Sequence, residues 1–311
     1  MEICFKAINA ILGGKMNIEK IFFETQDNAE LVGLLHTKNP SKKVIISVHG
    51  MTSDCLKRRD DIIAKTMVEN GIDYFTFNNR GHDVIAYIAK DVNGEYEKQK
   101  AGTAYENIQD SYYDINAAID EMMKKGYEEI YLQGHSLGCT KIVYTYNRLK
   151  NKNESKYLEK IKVIMLLSLV DIPKAQKINL GDKYNYILEY AQEKEREGKQ
   201  EELMPSESFI HPLSVKTYLK YFGEEGKEID FAKYSEKDYD FKELNNIQIP
   251  LFMRWGDTFE MIEQKAQDLV QIVKQKLKNP KTDINYIEGA NHGYTGKEQI
   301  LADQILNFLL K

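Results

Sequence analysis

Leu132-Gln133-Gly134-His135-Ser136-Leu137-Gly138 is the stretch on which the reading of this chain turns. It has the form Gly-x-Ser-x-Gly. Before it, Glu129-Ile130-Tyr131-Leu132 has the apolar run of a short buried strand. After it, Cys139 to Leu149 has helical spacing, with Ile142, Val143 and Tyr146 on one face. A serine between a strand and a helix sits on a sharp turn with strained backbone and very close neighbours. Glycines two residues before and two after supply the room. Such a turn holds the hydroxyl clear of the sheet, and the N-terminus of the following helix favours developing negative charge.

Outward from this turn, strand and helix patterns alternate. Ile18 to Thr25 and Leu31 to Thr37 read as a hairpin. Lys43 to Val48 is continuously apolar, as expected of a strand covered on both faces. Ile62, Ile63, Met67 and Val68 then have helical spacing, and Asp73 to Asn78 is the next strand. Residues 79–104 read as polar and irregular, broken by Gly81, Gly94 and Gly102. Ile108, Tyr112, Ile115, Ile119 and Met122 predict a helix. A strand is expected over Lys162 to Val170 and another over Ile249 to Trp255. Helix, strand and helix follow near 260–278, 282–288 and 297–310. The fold class predicted is α/β, with a doubly wound, mostly parallel sheet.

The buried-strand signal lapses between Val170 and Ile249. Residues 172–247 are rich in Lys, Glu and Tyr and predict a mostly helical cap, with helices near 183–196 and 212–222. Its place in the chain sets it above the carboxyl ends of the strands, where such folds bind ligands. The division expected is an N-terminal extension over 1–15, a core over 16–171 and 248–311, and the cap over 172–247. Tyr184, Tyr186, Tyr190, Phe209, Tyr218, Tyr221 and Phe222 are expected to pack the cap onto the core.

Composition narrows the function. The net charge of −5 is spread without a basic block, so nothing suggests a nucleic-acid groove or an anionic membrane surface as partner. Cys4, Cys55 and Cys139 lie far apart with no Cys-x-x-Cys, so neither a disulfide framework nor a zinc site is indicated. A reducing cytoplasm is the expected setting. No apolar stretch approaches the roughly 20 residues of a membrane span.

A serine nucleophile needs a base, an orienting acid and donors for the oxyanion. His292, in Glu288-Gly289-Ala290-Asn291-His292-Gly293, is the expected base because its loop follows the last strand. His36 falls in a strand, His49 more simply braces a loop, and His82 follows Asn79-Arg80-Gly81. His135 adjoins the serine but is expected to point elsewhere, and His211 is assigned to surface or cap packing. The oxyanion donors expected are the N–H groups of Leu137 and of Met51, the latter in His49-Gly50-Met51-Thr52 after a strand.

His49-Gly50, Arg80-Gly81-His82, Gly134-His135-Ser136-Leu137-Gly138 and Asn291-His292 resemble, in order and spacing, the α/β-hydrolase superfamily over residues 18–311. The expected cap falls where that superfamily places its lid. More narrowly, the Tyr105–Met123 helix and Gly134 to Thr140 resemble a branch related to siderophore esterases. In the superfamily the triad acid usually follows Gly-x-x-Asp. Here the strand ends Trp255-Gly256-Asp257-Thr258-Phe259-Glu260, so the matching position is Phe259. Glu260 is favoured, its extra methylene recovering one residue of reach; Asp257, which could also cap the next helix, is the alternative.

The resemblance implies a serine hydrolase that cleaves an ester, a thioester or a small amide of a small or medium-sized metabolite through an acyl-enzyme. It needs neither cofactor nor metal, and its partner is the small-molecule substrate. The alternatives are an acyltransferase on the same triad and a non-catalytic ligand-binding protein on the same fold.

Overall fold

A computed structural model describes residues 15–258 and 263–311. The expected extension over 1–15 therefore lies almost wholly outside the described residues.

Lys43-Val44-Ile45-Ile46-Ser47-Val48 shows how the layers form. All but Lys43 are buried, and their side chains alternate between two apolar clusters. Val44, Ile46 and Val48 join the larger cluster, with the helices Ser111–Lys124 and Leu137–Asn151. Ile45 joins the smaller one, under the helices Arg58–Glu69 and Glu298–Leu309. A strand apolar on both faces has to be covered on both, and these helices cover it.

The strands in chain order are β1 (Asn17–Glu24), β2 (Glu30–Thr37), β3 (Lys43–Val48), β4 (Asp73–Asn78), β5 (Ala86–Val92), β6 (Glu95–Ala101), β7 (Glu129–His135), β8 (Ile161–Leu167), β9 (Leu251–Gly256) and β10 (Thr282–Ile287). Among the described residues, eight of them form one sheet in the order β1-β2-β4-β3-β7-β8-β9-β10. β1 and β2 run antiparallel, as do β2 and β4; every pairing from β4 to β10 is parallel. From β3 the chain crosses to β4 on one side, then returns to β7 on the other. The carboxyl ends of β3 and β7 therefore flank the point where the winding reverses, and a crevice opens there.

One stretch departs from its sequence reading. Residues 79–104, read as irregular, contain the antiparallel hairpin β5–β6. Asn93 and Gly94 both have positive φ, 56° and 89°, as a two-residue Asn-Gly turn requires. Gly94 breaks a strand only to fold it back on itself. The polar, exposed face of β6 hid the alternation.

Between β8 and β9 the chain leaves the sheet. This excursion holds the helices Ile172–Leu180, Lys183–Arg196 and Val215–Phe222. The first was not foreseen. Asp171 caps it by accepting the Lys174 N–H at 3.0 Å, and Pro173 sits in its first turn. Tyr218, Tyr221 and Phe222 are buried in the larger cluster, with Tyr184, Tyr190 and Phe209 packed against it, whereas Tyr186 is exposed on the outer face of its helix and packs nothing inward.

Candidate active site

β7 ends at His135, and the helix Leu137–Asn151 begins one residue later, so Ser136 alone makes the turn. Its backbone has φ 54° and ψ −123°, a left-handed conformation of the kind that costs on the order of 1–3 kcal/mol outside glycine. The neighbouring glycines are steric requirements. A Cβ on Gly138 would lie 2.0 Å from the Val48 carbonyl oxygen, and one on Gly134 would lie 2.6 Å from backbone of the following helix. Both obstacles are main chain and cannot step aside.

The loop after β3 lies against this turn: a Cβ on Gly50 would be 2.9 Å from Ser136 Cβ and 3.5 Å from Leu137 N. His49 fixes the loop. Its Nε2 accepts the Asn79 N–H at 3.3 Å, and its Nδ1 faces the Gly50 carbonyl at 2.9 Å, the geometry of a ring protonated on Nδ1. Burial, helped by the Lys141 charge, lowers its pKa to about 3 and keeps it neutral. The Met51 and Leu137 N–H groups donate to no acceptor among the described residues, and both residues line the cavity that Ser136 lines.

His292 lines the same cavity, in the loop between β10 and the helix Glu298–Leu309. The ring of His135 packs 4.9 Å from it, and His135 Nε2–H donates to the His292 carbonyl at 2.7 Å. Burial, with the nearby charges of Arg59 and His292, holds the His135 pKa well below its ordinary value. Ser168 Oγ lies 3.3 Å from the same carbonyl and 2.9 Å from the Tyr294 hydroxyl, which donates to the Arg254 carbonyl at 2.8 Å. His135, expected to point elsewhere on the turn, finds its partner in the His292 backbone. It stays off Ser136 but seats the loop that carries His292. Its position beside the serine was the only signal in the sequence.

Asp257 follows β9 directly, and its Oδ1 accepts the Gly289 N–H at 2.6 Å. Glu260 lies outside the described residues. His211 was assigned to surface or cap packing; it lines the cavity beside Phe209, with ring centroids 6.2 Å apart.

The cavity has a volume of about 990 Å³. That is the upper end of the usual range for small-molecule sites. Val170, Ile172, Ile178, Phe209 and Ile210 form an apolar wall from the excursion side, and Lys57, Arg58 and Arg59 a basic one. No group of three His, Cys, Asp or Glu among the described residues is placed to hold a metal ion. No helix among them is long and apolar enough to cross a membrane.

A sheet that reverses its winding between β3 and β7, with a strained serine at the reversal, has the α/β-hydrolase fold, and comparison with solved structures agrees. The chain is similar to Est1E from Butyrivibrio proteoclasticus with ferulic acid bound, at 19% identity and a TM-score of 0.63, over 93% of this chain and 98% of that one. It is similar to the α/β hydrolase GrgF from Penicillium sp. sh18, at 13% identity and a TM-score of 0.64, over 94% and 98%. It is also similar to the Pyrococcus furiosus esterase Pf2001, at 15% identity and a TM-score of 0.58, over 94% and 90%. No protein-family model matches the sequence, and a search of curated proteins finds no match.

Proposed function

We propose that this protein is a serine hydrolase that cleaves a carboxylic ester of a small or medium-sized metabolite through an acyl-enzyme. The observation that carries the reading is Ser136, held at positive φ on the wall of a cavity that His292 also lines. A strained residue needs a reason to persist, and exposing a nucleophile is one. The esterases among the structural neighbours support ester chemistry.

In this reading His292 takes the proton of Ser136 Oγ as the oxygen attacks the substrate carbonyl. The Met51 and Leu137 N–H groups, unspent elsewhere among the described residues, receive the oxyanion. Collapse of the tetrahedral intermediate expels the alcohol, protonated by His292, and leaves the acyl group on Ser136. Water, deprotonated by His292, then releases the acid. Glu260 is the proposed orienting acid. In support, the Asp257 carboxylate is engaged with the Gly289 backbone at 2.6 Å.

Residues 172–247 are proposed to act as a cap, supported by the stretches 172–179 and 209–211 on the cavity wall. A reducing, cytoplasmic setting is part of the proposal, in keeping with a Cys139 thiol that donates to the Gly134 and Leu167 carbonyl oxygens at 3.2 Å each. The test is a fluorophosphonate. It should label Ser136, and Ser136→Ala should abolish both labelling and ester turnover. Labelling that survives in that variant overturns the assignment.

A further inference from the structure

We propose that the basic wall of the cavity is an anion subsite, so that the substrate is an ester carrying a free carboxylate. This deepens the hydrolase reading and rests on it for the ester half of the molecule.

The helix Arg58–Glu69 begins at the cavity, and its N-cap, Lys57, makes no side-chain capping bond. Uncapped N–H groups and the positive end of the helix dipole favour an anion there. By itself that would be an ordinary surface helix end. Arg59, in its first turn, makes it more. Arg59 lines the cavity, yet its side chain is only 6% exposed. Its Nη2 donates to Asp60 Oδ2 at 2.8 Å, while its Nε is enclosed with no partner among the described residues. A buried donor left unmatched costs on the order of 1–3 kcal/mol. The guanidinium thus carries donor capacity that the protein does not use.

Its position is fixed from beneath. Asp60 Oδ1 accepts from Ser47 Oγ at 2.8 Å and from the Tyr74 hydroxyl at 2.7 Å, so the carboxylate holding Arg59 is bolted to β3 and β4. A planar donor held rigidly at a cavity wall suits a planar acceptor, and a carboxylate is the natural match. Two more cations share the wall. Lys57 pairs with Asp54 at 3.0 Å, and Arg58 only loosely with Glu298 at 3.8 Å, with 84% of the Arg58 side chain exposed. Glu298 is the one acidic residue lining the cavity among the described residues. Arg59 is also near enough to His135 for its charge to depress that imidazole's pKa, which puts the subsite and the proposed catalytic residues in one chamber.

Binding to Ser136→Ala protein tests this without requiring turnover. The probes are the monomethyl esters of succinate, glutarate and adipate, each against its dimethyl ester, and β-acetoxypropionate against its methyl ester, read by calorimetry. At least one carboxylate-bearing ester should bind roughly tenfold or more tightly than its neutral partner, the discrimination of one good charged hydrogen-bonded contact. Arg59→Gln should erase that preference. Arg59→Lys, which keeps the charge but not the fork, should reduce it several-fold and serves if the glutamine variant fails to fold. Equal binding of acid and neutral esters across the set overturns the proposal, and so does a preference that persists in both Arg59 variants. Neither result bears on the nucleophile, which the fluorophosphonate tests separately on the wild-type protein.

Discussion

His135 Nε2–H donates to the main-chain carbonyl of His292 across 2.7 Å, linking the residue before Ser136 to the backbone of the proposed base. His135 is thus a positioning residue. Its burial disfavours the imidazolium, so one ring nitrogen keeps a proton to donate and the link stays neutral. His135→Ala should lower kcat roughly ten- to a hundredfold, the usual cost of misplacing a catalytic group by a fraction of an ångström to an ångström. His135→Gln, which retains an N–H donor, should recover part of the loss. Both variants should still be labelled at Ser136, more slowly. A His135→Ala enzyme with wild-type kcat would rule the role out.

The two candidate acids should separate by kinetics. Asp257 is occupied by the Gly289 N–H, so Asp257→Asn should cost only a few-fold, through a looser loop. Glu260→Gln should lose at least about a hundredfold in kcat with KM little changed, because the imidazolium loses its counter-charge in the transition state. The reverse ranking would transfer the role to Asp257.

Lys141 and Glu106 form an ion pair at 2.6 Å with both side chains 1% exposed. Removing one partner strands a charge in the interior. Glu106→Gln should therefore destabilise the protein by about 3–5 kcal/mol in urea unfolding. The double variant Glu106→Met, Lys141→Met should recover roughly half of that or more, since an apolar pair leaves no uncompensated charge. A double variant no more stable than Glu106→Gln would contradict this account.

Burial pushes Asp171, the cap of the helix Ile172–Leu180, from its ordinary 3.8 up to about 7. The folded state therefore holds this proton more tightly than the unfolded chain. The stability it contributes is fully present below about pH 4 and is lost as pH rises through about 7. Asp171→Asn keeps the capping oxygen without the charge. It should match the wild type near pH 4 and melt a few degrees higher near pH 8. A melting difference that does not change with pH would count against the assignment.

Much of this was legible in the sequence, where the physics was local. β3 and β7 announce themselves because both faces are covered, and Gly134 and Gly138 because nothing larger fits. β5–β6 escaped because only Ala86, Ile88 and Ala101 of the hairpin turn to a core, and that core is small. His135 and Arg59 escaped for another reason. Each acts through a partner distant in the chain, the His292 carbonyl for one and the cavity wall for the other, and no spacing rule encodes such a meeting. The resemblance to siderophore esterases rests on the expected Tyr105–Met123 helix and a short phrase around Ser136, and neither says anything of the cavity walls.

The buried Lys141 reaches in two directions. Its ammonium donates to Asn79 Oδ1 at 3.0 Å, beside the loop that His49 braces, and its partner Glu106 accepts from the Tyr221 hydroxyl at 2.7 Å and, through its main-chain oxygen, from Thr217 Oγ1 at 3.1 Å. Tyr221 and Thr217 belong to the helix Val215–Phe222. That helix is consequently nailed to the floor beneath the nucleophile, and lifting it would tear open a buried charge network. Ile178 and Ile210, exposed at the edge of the cavity, lie outside this charge network.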